Sequence, residues 1–157
     1  LDVHLMISQP QDFLEAFIDA GAKRISFHLE AAPHPDYLLR LMHNFEIEAG
    51  LAINPQTPVN HIIPFLDKLD FVIIMSVNPG FAGQAFMPEV LPKVTELKKV
   101  LAAVKAAGEV EVDGGISSKN ASLLSAAGAD VLVAGSAIFG QPDIKKAVQD
   151  IRDCLTV

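Results

Sequence analysis

Ala127-Gly128-Ala129-Asp130-Val131-Leu132-Val133-Ala134-Gly135-Ser136-Ala137-Ile138-Phe139-Gly140 is the stretch on which the fold turns. Gly128 is well placed to end a helix in the left-handed conformation. Residues 131–134 then read as a buried strand, which runs straight into Gly-Ser and a single apolar turn. That is the pattern of the short extra helix near the last strands of many β/α barrels, where a phosphate sits on the helix N-terminus. A tight turn capped by Ser136 is the competing local reading. In either case the amides that open the turn need an anion or a cap.

Outward from this stretch the same alternation fills the chain. Strands are expected over residues 3–7, 23–29, 49–53, 71–77, 110–112 and 131–134. Helices are expected over 10–20, 36–45, 57–66, 88–107, 118–127 and 143–155. Val90, Leu91, Val94, Leu97, Val100, Leu101 and Val104 form one apolar stripe of the longest helix. Ala20-Gly21-Ala22-Lys23 echoes Ala127-Gly128-Ala129-Asp130, and Ala49-Gly50 repeats the joint, with each Gly expected to close a helix. Six strand–helix units with short links predict one α/β domain over residues 1–157, a parallel sheet with right-handed crossovers. A complete (β/α)8 TIM barrel usually needs ~250 residues, so the expectation is a barrel truncated to about six units. A flavodoxin-like open sheet is the alternative.

The composition supports this and excludes other classes. The chain is 157 residues long and 50% hydrophobic, with 6% aromatic residues and no Trp, so Val, Ile, Leu and Ala dominate the apolar mass, as in buried parallel strands. A net charge of −7 without a basic stripe argues against nucleic acid. The apolar runs are strand-length, so no membrane partner is expected. The single Cys154 rules out an internal disulfide and fits a reducing, cytoplasmic setting. The chain opens without Met, on a segment that already reads as a strand, which predicts missing sequence upstream.

In such folds the ligand sits at the C-terminal ends of the strands. Val112-Asp113-Gly114-Gly115-Ile116 ends one strand with an acid and two glycines. Asp113 is a candidate acid/base group or metal ligand, with a helix cap as the plain alternative. Met75-Ser76-Val77-Asn78-Pro79-Gly80-Phe81-Ala82-Gly83-Gln84 is a glycine-bearing loop whose amides can cradle the same anion. Alternation puts His4 and Met6 on one face of the first strand, where a neutral imidazole can bind a divalent metal. His28 ends the next strand and can line the mouth, while His34, His43 and His61 read as solvated. No Lys or Arg lies in these motifs, so an anion would be held by amides and helix dipoles.

Taken together, Asp2-Val3-His4-Leu5-Met6, Val77–Gln84, Val112–Ile116 and Ala134–Phe139 resemble the ribulose-phosphate 3-epimerase family, with agreeing spacing along the whole chain. The resemblance implies a (β/α)8 barrel that interconverts D-ribulose 5-phosphate and D-xylulose 5-phosphate in the pentose phosphate pathway, through an enediolate. It implies one divalent metal ion, as zinc, iron(II), manganese or cobalt, with His4 and Asp113 as ligands and Asp113 as one of two acid/base carboxylates. His4, Gly80, Phe81, Ala82, Gly83, Asp113, Gly114, Gly115, Gly135 and Ser136 would contact a pentulose 5-phosphate, and Met6 and Met75 would line the metal side.

The family also carries earlier strands without counterpart here, bearing a His and an Asp that complete the metal site and the acid/base pair. The expectation is therefore a piece of such an enzyme with little or no activity of its own. Exposed strand edges would favour a homo-oligomer. Allulose-6-phosphate 3-epimerase and a non-catalytic phosphate-binding chain are the rival readings.

Overall fold

In a computed structural model, which describes residues 1–81 and 83–155, the buried strands acquire two distinct faces. Six strands are present: β1 (Asp2–Leu5), β2 (Arg24–His28), β3 (Glu48–Ile53), β4 (Phe71–Met75), β5 (Glu109–Asp113) and β6 (Val131–Val133). All pair in parallel and in sequential order. The helices are α1 (Leu14–Asp19), α2 (Pro35–Asn44), α3 (Leu91–Val104), α4 (Ala121–Ala127), α5 (Ser136–Phe139) and α6 (Ile144–Asp153).

The two faces of the strands enter two different cores. Ile25, Phe27, Leu51, Ile53, Val72, Ile74, Val110 and Val112 pack outward against Leu39, Met42, Val94, Leu97 and Leu124 of the helices. Ala52, Phe71, Ile73, Met75 and Val77 form a separate inner cluster to which no helix contributes. Helices on one face, with strands in the order 1 to 6, are the mark of a curled half-barrel and exclude the doubly wound alternative. Each large outward side chain buried here stabilises the fold by about 1.5–3 kcal/mol.

Arg24 shows the depth of the curl. From β2 its guanidinium reaches Glu109 (2.8 Å) and Glu111 (3.4 Å) on β5, as well as Glu48 (3.1 Å) and Asp2 (3.0 Å). It lies 3.9 Å from the centre of the Phe71 ring. Burial pushes the Glu111 carboxyl up to about 7, with the charge of Asp2 adding to the effect. This charged layer floors the inner cluster, below the C-terminal ends of the strands.

Three sequence expectations are corrected. Gly50 does not end a helix: it lies inside β3, and a Cβ there would come within 2.4 Å of the Phe71 ring. It is small to admit that ring, and Glu46 (φ 56°) takes the left-handed position after α2 instead. Residues 57–66 form no α-helix but two 3-10 turns, Val59–His61 and Ile63–Lys68, the second carrying Pro64 in its first turn. The apolar stripe of α3 ends early, since Val104 is exposed. No helix among the described residues is long and apolar enough to cross a membrane.

Candidate active site

Strand register determines what gathers at the open end. Asp113, last in β5, pairs with Met75 of β4 on one side and Val133 of β6 on the other. All three project inward with the same parity as Ile73 and Glu111. Ser76 then fastens the next turn: its amide donates to the Asp113 carbonyl (2.7 Å), and its hydroxyl donates to the carbonyls of Asp113 (3.0 Å) and Gly114 (2.7 Å). Ser76 is fully buried, so these bonds are shielded from water.

The two glycines after Asp113 are required by close approach. At Gly115 (φ 64°) a Cβ would meet the Phe86 amide nitrogen at 2.5 Å and the Gln84 carbonyl oxygen at 2.9 Å. At Gly114 (φ 124°) it would strike the Val77 methyls at 2.6 Å. The loop after β4 thus lies directly on the Asp-Gly-Gly turn. It is braced by Gln84, whose side-chain amide donates to the carbonyls of Asn78 (2.6 Å) and Phe81 (3.0 Å).

Between these loops and α5 lies a cavity of 330 Å³. Its walls include Met6, Met75, Gly80, Phe81, Gly83, Asp113, Gly114, Gly115, Gly135 and Ser136. Ten of the residues singled out in the sequence therefore meet at one cavity. Ala82 lies outside the described residues. His4 does not line it but stands behind it, against His28. Asp113 is no helix cap: α4 begins at Ala121, preceded at the cap position by Asn120, whose side chain accepts from Ser117 N–H and donates to the Gly115 carbonyl. Burial pushes the Asp113 carboxyl up from its ordinary value, an effect that His28 opposes. The amides of Ser136 and Ala137 at the start of α5 find no acceptor among the described residues, and no side chain caps them.

A second cleft of 480 Å³ adjoins the first, sharing Met6, Pro79 and Gly80, and is lined also by His28, Glu30 and Asn54. Burial, reinforced by His28, pushes His4 down to about 4, so its imidazole is neutral near pH 7. Burial would raise Glu30, but hydrogen bonds from His28, Thr57 and the Asn54 amide outweigh it and hold the carboxyl at about 2. Lys93 of α3 donates to the carbonyls of Asn54 (2.9 Å), Pro55 (2.6 Å) and Thr57 (2.6 Å), clamping the loop that carries the Asn54 and Thr57 donors. Sequence reasoning missed Ser26, Glu30, Ser76 and Lys93. Each acts across more than twenty residues, which no local motif records. A larger cleft of 570 Å³ between the approach to α4 and α6 is lined by no strand residue, and its Lys146 is paired with Asp150.

A neutral imidazole and a carboxylate suit a divalent ion in kind. In number they fall short: no group of three or more His, Cys, Asp or Glu side chains among the described residues is placed to hold a metal.

Comparison with known proteins closes the assignment. The sequence profile of the ribulose-phosphate 3 epimerase family matches residues 1–139. Ribulose-phosphate 3-epimerase of Bacillus subtilis is 47% identical over 97% of this chain and 70% of its own length. The Escherichia coli K12 enzyme of the same name is 44% identical over 97% of this chain and 68% of its own. Among solved structures, 3-hexulose-6-phosphate synthase superposes with a TM-score of 0.62 at 22% identity, covering 91% of this chain and 68% of the other, a likeness of fold. With a profile match over most of its length and relatives this similar over nearly all of it, the chain belongs to the ribulose-phosphate 3-epimerase family.

Proposed function

We propose that the cavity at Asp113 serves the interconversion of D-ribulose 5-phosphate and D-xylulose 5-phosphate, in the cytoplasm and within the pentose phosphate pathway. The observation that carries this reading is the meeting of one half-buried, poorly solvated carboxylate with the uncapped start of α5 at Ser136 across a single cavity. The amide of Ser136 at the start of α5, with the Gly80–Gly83 loop, receives the phosphate. This fixes the sugar so that its C3 hydrogen faces Asp113. The Asp113 carboxylate takes that proton, and the C3–H electron pair moves into an enediolate across C2 and C3. A proton delivered from water to the opposite face gives the epimer, and Asp113 releases the proton it took to solvent. A raised pKa suits Asp113 to both taking and returning a proton. Asp113 is the one carboxylate among the described residues that lines this cavity, so it accounts for the proton traffic on one face.

His4 and Asp113 would supply part of the ligand set of a divalent ion (zinc, iron(II), manganese or cobalt), which would stabilise the enediolate oxygens. Met6 and Met75 would supply an apolar wall beside it. The outer edges of β1 and β6, unpaired in this sheet, support association into a homo-oligomer.

Proton exchange tests the reading without requiring complete turnover. In D2O, with manganese or zinc present, the protein is expected to replace the C3 hydrogen of D-ribulose 5-phosphate or D-xylulose 5-phosphate by deuterium, read by NMR. Asp113→Asn should slow this by about 100-fold or more. Allulose 6-phosphate serves as the six-carbon control. Exchange undiminished in Asp113→Asn, or no exchange from a sugar phosphate that calorimetry shows to be bound, would overturn it.

A further inference from the structure

Behind the cavity four side chains from two strands and the loop after β2 form a line whose hydrogens can be placed from both ends. At one end is Ser26, fully buried, whose hydroxyl lies 2.8 Å from His4 Nδ1 and has no other partner among the described residues. A buried hydroxyl hydrogen needs an acceptor. Ser26 therefore donates, and His4 Nδ1 is a lone pair. A neutral imidazole carries one hydrogen, so His4 carries it on Nε2. That nitrogen is 3.2 Å from His28 Nε2, and the rings are tilted at 50° with centres 4.9 Å apart. His28 Nε2 accepts, which leaves the His28 hydrogen on Nδ1.

The other end gives the same answer. Glu30 Oε1 already accepts from the Asn54 amide (2.9 Å) and the Thr57 hydroxyl. Its Oε2 lies 3.4 Å from His28 Nδ1, a long contact but the nearest one that nitrogen has to a carboxylate. A carboxylate can only accept and repels a facing lone pair, so this contact favours the hydrogen on Nδ1. Glu30 is not free to turn away, because Lys93 holds the carbonyls of the same loop.

We propose that Glu30 and His28 are positioning residues that hold His4 in its Nε2–H tautomer, so that whatever His4 binds it binds through Nδ1, in exchange for the Ser26 hydroxyl. The pattern is that of a ligating histidine oriented by a carboxylate, with one further imidazole inserted between the two. The inference rests on the epimerase reading only for what His4 holds, since the tautomer itself is a property of the protein without metal or substrate.

Long-range proton–nitrogen NMR of the 15N-histidine-labelled, metal-free protein at pH 7.5 reads the tautomers directly, with His4→Gln and His28→Gln assigning the two rings. Expected are Nε2–H for His4 and Nδ1–H for His28, each preferred by roughly tenfold or more. In Glu30→Gln, whose side chain can donate as well as accept, both preferences should fall toward mixtures, and Glu30→Asp should restore them in part. A loss of packing alone would not exchange one ring tautomer for the other. His4 found as Nδ1–H in the unsubstituted protein overturns the proposal whatever the variants do. So does a His4 tautomer unchanged in a folded Glu30→Gln protein. The expected tautomers without C3 exchange would overturn the epimerase reading and leave the relay standing.

Discussion

Glu30 illustrates how one side chain is read through its neighbours. Its carboxyl is held at about 2 in the fold against an ordinary 4.5. A depressed carboxylate contributes stability that is fully present above the unfolded value and is lost as pH falls toward the folded one. Glu30→Gln should therefore cost about 2 kcal/mol at pH 7, a figure already reduced for its partial exposure. In urea unfolding that difference should shrink steadily from pH 4.5 toward pH 3. A difference independent of pH would show that packing, not charge, is lost. Of the site residues, Asp113 was legible because a strand-ending acid before two glycines is a local signal. His28 was legible only as a strand end, and Glu30 and Ser26 not at all. What they do depends on neighbours brought in by the pairing of β1 with β2 and by the loop after β3.

At the scale of elements, the β5 turn and the loop after β4 are one unit. Gly115→Ala should strain a left-handed backbone and drive a Cβ against the Phe86 amide. The expected result is a loss of about 2 kcal/mol in unfolding free energy, with weakened binding of a sugar phosphate by calorimetry. Unchanged binding would place the ligand elsewhere. The strand–helix alternation was legible because parallel strands buried on both faces are long runs of Val, Ile and Leu. Gly50 was misread because Ala-Gly before a strand looks the same whether the glycine ends a helix or makes room for an aromatic ring on the next strand. The segment before β4 was misread because its apolar spacing suits one face of a helix, and sequence spacing does not separate an α-helix from successive 3-10 turns of the same length.

For the whole molecule, the curl of the sheet depends on what fills its inner face. Arg24 joins β2 to β5 among carboxylates that would otherwise repel across the interior. Arg24→Met keeps most of the volume and removes the cation, leaving Glu111 buried beside Asp2, Glu48 and Glu109. A loss of about 3 kcal/mol at pH 7.5 is expected in urea unfolding. A neutral result would mean that the apolar inner cluster holds the curvature without it. Lys93 sets a different condition on the molecule. Three carbonyls converge on its ammonium group much as they do around a potassium ion, but this cation is tethered to α3. An ion bound from solution would come and go with its concentration. A tethered one is always at hand, so the loop that steadies Glu30 keeps its shape irrespective of which salts surround the protein.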